Sequence, residues 1–426
     1  MHLMAKSIVR VLSVWKRQSR NWRTVSIVSL FNKFFQRMTQ TYTPIYIKQL
    51  GANDIQLGIV NSISNIVATG ISAPVGWLQD RYSLKKIFII GFIVSLISTI
   101  VYGAATAWTT IIFAMGLSAL VALRTSGAPA IGSCQTICDV SVNVDDRATC
   151  KGFCDGFFAL PSLITPMLAA ILITYFGGSS QPTAEGIRPL FWLQAAAYVV
   201  IIIVLVTQLT EIARPKSKSQ GFLKDYREVF RTGTALKRWL IYSVVDSFVM
   251  TMANPYQTIY ANEVKMANTF ILGAMTTGTL LTPTLLSAFF GNIADKRGRK
   301  KLLFILLPIW WVSQVLLLFA PVGGDGTILV LASLLAGFRQ IAGYTITAAL
   351  MIDLVPIENI GRWRGILGLA NGLAAIPAPI IGGIIYQTIG PSYLIIIPVI
   401  IDITLRLPIL QTIPEKPRSQ KKFETS

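Results

Sequence analysis

Long apolar stretches separated by short polar or charged turns run along almost the whole chain. The stretches are continuous rather than alternating residue by residue, which predicts helices and excludes a transmembrane β-barrel. About 20 apolar helical residues are enough to cross about 30 Å of hydrocarbon. The pattern therefore predicts an all-α membrane protein with twelve spanning helices, at residues 25–47, 54–79, 86–106, 108–136, 154–175, 189–208, 239–260, 269–293, 302–321, 327–352, 364–387 and 391–411.

The pattern repeats itself half a chain later. The turn after the second span and the turn after the eighth share a glycine, an aspartate and a basic residue at a spacing of 215 residues: Gly76, Asp80 and Arg81 correspond to Gly291, Asp295 and Lys296. Further pairs follow in the same order at spacings of 213 to 215: Asn32 and Asp246, Tyr46 and Tyr260, Arg124 and Arg339, Gly152 and Gly365, Pro166 and Pro379. Such an ordered series predicts two structural copies of one six-helix unit.

The charge distribution orients the predicted helices. The chain has 426 residues, is 53% hydrophobic and carries a formal charge of +19. Of its 38 lysines and arginines, 30 fall in the N-terminal segment, the alternate loops and the C-terminal tail, and only Lys48, Arg188 and Lys265 fall in the opposite loops. This asymmetry follows the positive-inside rule, so we expect a multi-pass protein of the cell membrane with both termini in the cytoplasm and no nucleic-acid partner.

The predicted organisation has five parts. The basic N-terminal stretch lacks an Ala-x-Ala cleavage site, so we expect the apolar segment after it to be retained as helix 1. The parts are a cytoplasmic segment (1–24), a six-helix bundle (25–208), a cytoplasmic linker (209–238), a second six-helix bundle (239–411) and a cytoplasmic tail (412–426).

Two six-helix repeats with Gly-x-x-x-Asp-Arg/Lys turns resemble the major facilitator superfamily over essentially the whole chain. The second turn, from Gly291 to Lys300, follows the family signature closely, whereas the first has Ser83 and Leu84 where the family usually has Gly and Arg. The resemblance implies a transporter embedded in the lipid bilayer, acting on a small molecule. No catalytic constellation and no phosphate-binding loop is visible, so we expect neither an enzyme nor a cofactor. We also expect a monomer.

Two further motifs resemble those of particular family members. Pro377, Pro379, Gly382 and Gly383 on helix 11 are similar to a Gly-Pro-x-x-Gly-Gly segment of antiporters, although the family places that segment on helix 5. The alternative is a packing seam in which small residues permit close approach and proline permits bending. Arg124 and Arg339 resemble an arginine found in helix 4 of proton-coupled drug exporters.

The repeated turns predict a conformational latch. Gly76 and Gly291 allow close helix approach, and Asp80 and Asp295 lie at cytoplasmic helix ends, where each can face the positive N-terminus of a helix from the other half. We expect Asp80 near the start of helix 11 and Asp295 near the start of helix 5, at Lys151 and Gly152. Arg81 and Lys296 belong to the same turns. The alternative is that the basic turns only set topology.

Polar helices 1 and 7 occupy equivalent positions in the two halves and predict a central cavity. Asp246 is expected to be the only deep carboxylate and the proton-coupling group, with Arg37 or Lys33 as its partner and Glu263 as the second candidate. Arg406 is expected to reach the cytoplasmic surface near Asp402. The predicted cavity residues are Asn32, Lys33, Gln36, Arg37, Gln40, Arg124, Asn254, Tyr256, Gln257 and Arg339.

Four cysteines are confined to one region. Cys134 with Cys138, and Cys150 with Cys154, are each four residues apart and share a helix face near the predicted cytoplasmic ends of helices 4 and 5. Structural zinc sites usually use tighter hairpins, and disulfides are disfavoured in a reducing cytosol, so we expect packing residues and no metal site.

These observations predict a secondary active transporter, with proton-coupled efflux of drugs or metabolites as the first hypothesis. Proton-coupled uptake or exchange of organic anions or sugars remains the alternative, because the predicted cavity is rich in cations. A lipid-modifying enzyme would need a clustered acidic or histidine site, and the single histidine is His2.

Overall fold

The structure is a computed structural model that describes residues 18–81, 83–119, 160–211, 235–355 and 360–415; within these ranges the side chains of 72–81, 84 and 360–362 are not described. The described ranges are helical and contain no β-strand. Seven of their helices are long and apolar enough to cross a membrane. The predicted all-α membrane architecture is confirmed in the described part of the chain, which contains at least a segment of each of the twelve predicted helices.

In the N-terminal half, helices 2, 3 and 4 begin within two residues of the predicted positions, whereas helices 1 and 6 begin five residues earlier than predicted. Helix α1 is divided into two segments, because Pro44 lacks the backbone N–H that would continue the first one. The half comprises α1 (Arg20–Gln40 and Thr43–Gln49), α2 (Asp54–Arg81), α3 (Leu84–Ala104), the described part of α4 (Trp108–Ala119), α5 (Pro161–Gly177) and α6 (Ala184–Gln208).

The C-terminal half contains six equivalent helices, four of which include a stretch of π-helix. The regular ones are α8 (Thr269–Arg297) and α9 (Arg299–Phe319). The others are α7 (Leu236–Ile259, then π Tyr260–Val264), α10 (Thr327–Gln340, π Ile341–Thr347, Ala348–Asp353), α11 (Ile360–Ala375, Ala378–Ile384, π Ile385–Ile389) and α12 (Pro391–Ile401, π Asp402–Arg406, Leu407–Thr412).

Side-chain caps fix where several helices begin. At the start of α2, the Asn53 side chain accepts from the Gln56 N–H at 2.8 Å and the Gln56 side chain accepts from the Asn53 N–H at 2.9 Å. This reciprocal capping box satisfies two N–H groups that the helix leaves open. Asn268 caps α8 in the equivalent place by accepting from the Ile271 N–H at 2.9 Å.

The two halves meet through α2 against α11 and α5 against α8. A Cβ on Gly273 of α8 would lie 2.8 Å from the Pro166 carbonyl oxygen of α5, and a Cβ on Gly58 of α2 would clash with the carbonyl oxygen of Pro379 on α11. Gly58 and Gly273 are 215 residues apart, so the duplication that the sequence indicates also forms the contact between the halves. Only glycine permits this approach of two backbones.

Candidate functional site

A cavity of 420 Å³ lies between the halves, with most of its wall formed by the N-terminal half. Four predicted residues line it: Gln36, Arg37, Gln40 and Asn254. The C-terminal half contributes α7, through Asn254, Pro255 and Thr258, and α8, through Thr276. The structure therefore places polar helices α1 and α7 at a common cavity, as their equivalent positions predict.

Arg37 is the one charged residue among the described residues that line this cavity. It is half-buried, and its Nη1 donates to the Gln40 side chain at 3.0 Å. The predicted pairing of Arg37 with Asp246 is wrong, because Asp246 pairs with two other arginines, described below. The cavity thus offers a positive group to a solute and, in the described part of its wall, no carboxylate.

Sequence reasoning missed a hydrogen-bonded group of residues in the wall of the same cavity. The Thr39 hydroxyl donates to the Gln194 side-chain oxygen at 2.9 Å, and the Gln194 amide donates to the Tyr198 hydroxyl at 2.7 Å. All three residues line the cavity. Gln194 interrupts an apolar stretch of α6, and a lone amide in an apolar helix was the signal that could have identified this face.

The outer end of the cavity, opposite the chain termini, is closed by two equivalent tyrosines. The Tyr42 hydroxyl lies 3.3 Å from the Pro166 carbonyl oxygen and 3.0 Å from that of Thr269. The Tyr256 hydroxyl lies 2.9 Å from the Pro379 carbonyl oxygen and 3.0 Å from that of Asp54. Each tyrosine therefore contacts one carbonyl of its own half and one of the other half.

Tyr256 was predicted to line the cavity, and its position corrects that prediction. Its side chain is fully buried in the contact between the halves. Gly383 lies directly beside its hydroxyl, where a Cβ would come within 2.7 Å of that oxygen. The small residues of α11 thus act as the packing seam that was the alternative to an antiport motif.

An ion pair adds to the closure of the outer end. Lys48 of the N-terminal half lies 2.7 Å from Glu263 of the C-terminal half and 2.7 Å from Asp54 of its own half. Glu263, the second proton-coupling candidate, is 42% exposed at this position. Its place at the outer rim suits a contact between the halves, whereas a proton carrier would need access to both sides of the membrane.

A second group of charges lies inside the C-terminal half and includes Asp246. Arg339 of α10 pairs with Asp246, and Arg406 of α12 lies 3.0 Å from the same carboxylate. Arg406 also pairs with Asp402 and donates to the Tyr242 hydroxyl at 2.9 Å, while the Trp311 indole donates to Asp402 at 2.9 Å. We call Asp246, Arg339, Asp402 and Arg406 the charge cluster; its formal charges sum to zero.

The charge cluster corrects two sequence predictions. Arg406 does not reach the cytoplasmic surface, because both it and Asp402 are fully buried. Asp246 is not the only deep carboxylate, since Asp402 lies deeper still. Burial is possible because the two aspartates and the two arginines neutralise one another. The i, i+4 spacing of Asp402 and Arg406 in an apolar helix was the sequence signal for an inward-facing pair.

Two of the π-helical segments coincide with the charge cluster. The segment Asp402–Arg406 contains both charges of α12, and the segment Ile341–Thr347 begins two residues after Arg339. Short π-helical turns are rare and occur frequently at functional sites, because the widened turn re-aims the side chains that it carries. The other two π-helical segments, Tyr260–Val264 and Ile385–Ile389, lie outside the cluster, so irregular backbone accompanies the cluster without being confined to it.

The remaining predicted residues lie elsewhere. Gln257 lines a smaller pocket next to the main cavity, whereas Asn32, Lys33 and Arg339 line neither space. Asp295 pairs with Arg299 of its own half at 3.4 Å, and Gly291 faces Thr345 of α10. The remaining residues of the sequence predictions lie outside the described side chains: Gly76, Asp80, Arg81, Arg124, Lys151, Gly152 and the cysteines Cys134, Cys138, Cys150 and Cys154.

Comparison with known proteins gives consistent matches over the whole fold. The family model described as Major Facilitator Superfamily matches residues 25–273 and 239–426. The "Multi-drug resistance efflux pump PmrA homolog" of Lactococcus lactis is 21% identical over 86% of this chain and 89% of its own length. The "Multidrug resistance protein MdtG" of Proteus mirabilis is 23% identical over 70% of this chain and 76% of its own length.

Solved structures share the fold. A crystal structure of a mutant form of the nucleoside transporter NupG superposes with a TM-score of 0.71, at 15% identity, over 92% of this chain and 99% of the other. A bacterial homolog to the human lysosomal transporter Spinster, in an inward-facing and unoccupied conformation, superposes with a TM-score of 0.61, at 14% identity, over 91% of this chain and 90% of the other.

Proposed function

The chain belongs to the Major Facilitator Superfamily, and from that premise we propose that it is a proton-coupled secondary active transporter that exports a drug or metabolite by alternating access. The chain is thus a multi-pass membrane transporter and not an enzyme. The observation that carries the proposal is a solute-sized cavity at the repeat interface whose outer end is closed by contacts between the halves. A relative named as a multi-drug resistance efflux pump supports the direction of transport, and a second relative is named as a multidrug resistance protein.

Alternating access requires the outer contacts to open and the opposite end to close. The polar contacts that bridge the halves at the outer end include the two tyrosine hydroxyls and the Lys48–Glu263 ion pair. The Thr269 hydroxyl also donates to the Ser180 carbonyl, and the Asn262 amide to the Gln181 side chain. Each is worth about 1 kcal/mol or less, so a bound solute can shift the equilibrium between two such states. The proposed orientation, from the charge asymmetry of the loops, is a cell-membrane protein with both termini in the cytoplasm.

Asp246 is the proposed proton-coupling residue. Its side chain is 26% exposed and forms ion pairs with two arginines on different helices, so movement of either arginine changes its proton affinity. Asp402 is fully buried and remains paired with Arg406 on its own helix. Proton uptake by Asp246 would release Arg339, and loss of the proton would restore the pair.

The test uses purified protein in proteoliposomes with an imposed pH difference. One pH unit supplies about 1.4 kcal/mol per proton, which is about a tenfold concentration ratio for one-to-one coupling. Ethidium, chloramphenicol and fluorescein serve as cationic, neutral and anionic probes. We expect the wild-type protein to accumulate at least one probe when the pH difference is imposed. Asp246→Asn should lose this accumulation but keep downhill exchange. The control Asp353→Asn, whose partner Arg299 lies at a helix end, should still accumulate the probe.

Accumulation by Asp246→Asn would reject this residue as the coupling site and would make Glu263→Gln the next variant. If the wild-type protein moves none of the probes in response to the pH difference, proton-coupled efflux of these drug classes is rejected.

A second candidate is proton-coupled uptake or exchange of organic anions or sugars. The observation that favours it is Arg37, which faces the cavity without a carboxylate among the described lining residues. A fixed positive charge repels cationic drugs and attracts anions in a site of low dielectric. Preferential transport of fluorescein over ethidium would support this candidate.

A further inference from the structure

A smaller pocket lies wholly inside the C-terminal half, next to the main cavity. Its volume is 110 Å³, its wall comes from α7, α8, α9 and α10, and its described lining residues carry no charge. It is rich in hydroxyl and amide groups. Its polar lining includes Thr258, Thr276, Thr279, Ser313, Gln314 and Ser333.

This pocket is the structural copy of part of the main cavity. Its residues correspond, at a spacing of 215, to residues that line the larger space: Ser98 and Ser313, Thr99 and Gln314, Ser118 and Ser333. Thr258 and Thr276 line both spaces, so the two are adjacent and share a wall. The duplication has therefore given each half a polar chamber at an equivalent place.

The directions of the hydrogen bonds determine what the smaller pocket can bind. Three hydroxyl groups of the wall donate to backbone carbonyls of their own helices. The Ser313 hydroxyl donates to the Trp310 carbonyl at 2.7 Å, the Ser333 hydroxyl donates to the Leu329 carbonyl at 2.9 Å, and the Thr279 hydroxyl donates to the Met275 carbonyl at 3.0 Å. A hydroxyl has one proton, so a group that donates it to its own helix presents only lone pairs to the pocket. The hydroxyl groups of the wall therefore accept hydrogen bonds, whereas the Gln257 and Gln314 side chains of the same wall can both donate and accept.

Three hydroxyl groups of the main cavity likewise donate to backbone carbonyls. The Ser98 hydroxyl donates to the Ala114 carbonyl at 2.7 Å, that of Thr99 to Ser95 at 2.8 Å, and that of Ser118 to Met115 at 2.8 Å. Both chambers thus offer acceptors to a solute, and a solute that satisfies them must bring several O–H or N–H donors.

We propose that the smaller pocket is a second solute subsite, and that the two chambers together bind a polyhydroxylated solute that is neutral or carries one anionic group. This inference rests on the proposed transporter function. Arg37 receives the anionic end in the larger chamber, and the hydroxyl groups donate to the acceptor wall of the smaller one. An ammonium group is disfavoured by Arg37, and an apolar drug would leave the acceptors without partners.

Thr279→Val tests the subsite with little effect on the fold. Thr279 lines only the smaller pocket, and valine keeps its shape while removing the hydroxyl. The matched control is Thr284→Val on the same helix, where the hydroxyl makes the same bond to its own helix, to Leu280 at 2.7 Å, and lines neither chamber. The probes are sugar alcohols, aldoses and sugar acids such as sorbitol, glucose and gluconate, with glucosamine and cyclohexanol for comparison.

Binding is measured by the rise in melting temperature of the purified full-length protein with probe concentration. We expect at least one polyol or sugar acid to bind, and to bind Thr279→Val three- to tenfold more weakly while Thr284→Val binds as the wild type does. The proposal would be overturned if no polyol or sugar acid bound, or if Thr279→Val and Thr284→Val weakened binding equally. Stronger binding of glucosamine or cyclohexanol than of the polyols and sugar acids would also overturn it.

The outcome separates this proposal from the transporter function. Protein that moves ethidium or chloramphenicol with a pH gradient, but binds no polyol, keeps the function and loses the subsite. Protein that binds a polyol through Thr279, but moves none of the three drug probes with a pH gradient, keeps the subsite and loses proton-coupled efflux of those drug classes.

Discussion

Tyr42 and Tyr256 make equivalent hydrogen bonds on the two sides of the duplication, each bridging a proline carbonyl of its own half and the first turn of a helix in the other half. The residues are 214 positions apart, and their proline partners, Pro166 and Pro379, are 213 apart. The outer closure is therefore a duplicated element, in which each half holds the other through the same chemistry.

Removing either tyrosine hydroxyl is expected to favour opening of the outer end. Tyr42→Phe and Tyr256→Phe keep the packed ring but lose a buried hydrogen bond, worth about 1 kcal/mol, which shifts the equilibrium about fivefold. The measurement is the labelling rate of Thr43→Cys, in the cavity wall, by a membrane-impermeant thiol reagent added outside, after replacement of the four native cysteines.

The matched control for the tyrosine prediction is Tyr46→Phe. Its hydroxyl donates to the Tyr102 carbonyl at 2.9 Å, equally buried but within one half. Faster labelling in Tyr46→Phe than in Tyr42→Phe and Tyr256→Phe would contradict a role of the two bridging hydroxyls in outer closure.

The cytoplasmic latch remains a prediction. Asp80→Asn and Asp295→Asn are each expected to weaken a helix-terminus contact by about 0.3–1 kcal/mol and to raise the inward-open population. The readout is faster thiol labelling, from the cytoplasmic side, of Gln36→Cys in the cavity wall. Because Asp295 also pairs with Arg299, Arg299→Gln is the control for loss of that pair, and Asp353→Asn is the control for the second pair that Arg299 makes. Unchanged labelling in both aspartate variants would reject the latch.

The charge cluster is expected to tolerate loss of a pair better than loss of one partner. Arg406→Met leaves two aspartates and one arginine in the charge cluster and removes the ion-pair partner of Asp402, and should lower the free energy of unfolding by about 3–5 kcal/mol. The double variant Asp402→Leu with Arg406→Met removes one charge of each sign and should recover most of that loss. Thermal unfolding in detergent measures both, and equal destabilisation of the two variants would show that charge balance is not what holds the cluster.

Arg37→Gln should change solute preference without changing stability. Its partner in the structure is the Gln40 side chain, so the substitution leaves no carboxylate unpaired, and the melting temperature should stay close to that of the wild type. Binding of gluconate should weaken while that of sorbitol persists. Lys33→Gln, on the same helix but lining neither chamber, is the control. Preserved gluconate affinity would rule out an anionic solute at this arginine.

The sequence by itself determined the twelve helices, because apolar length and helix caps are local properties. The capping box of Asn53 and Gln56 and the apolar run of α3 need no distant partner. The duplication could also be inferred from the sequence, since equivalent residues keep a spacing of 213 to 215. Polar helices α1 and α7 indicated a shared cavity because polar side chains are costly in lipid.

Only the tertiary structure decided which charge meets which. Helical periodicity fixes the face on which Asp246 lies but not the neighbour of that face, and its partners Arg339 and Arg406 come from helices far along the chain. The same holds for Tyr256, which lies one position from the cavity-lining Pro255 yet points into the seam between the halves. Consecutive residues of a helix point about 100° apart. The residue type and its depth in the membrane therefore could not tell a residue that lines the cavity from one in the contact between the halves.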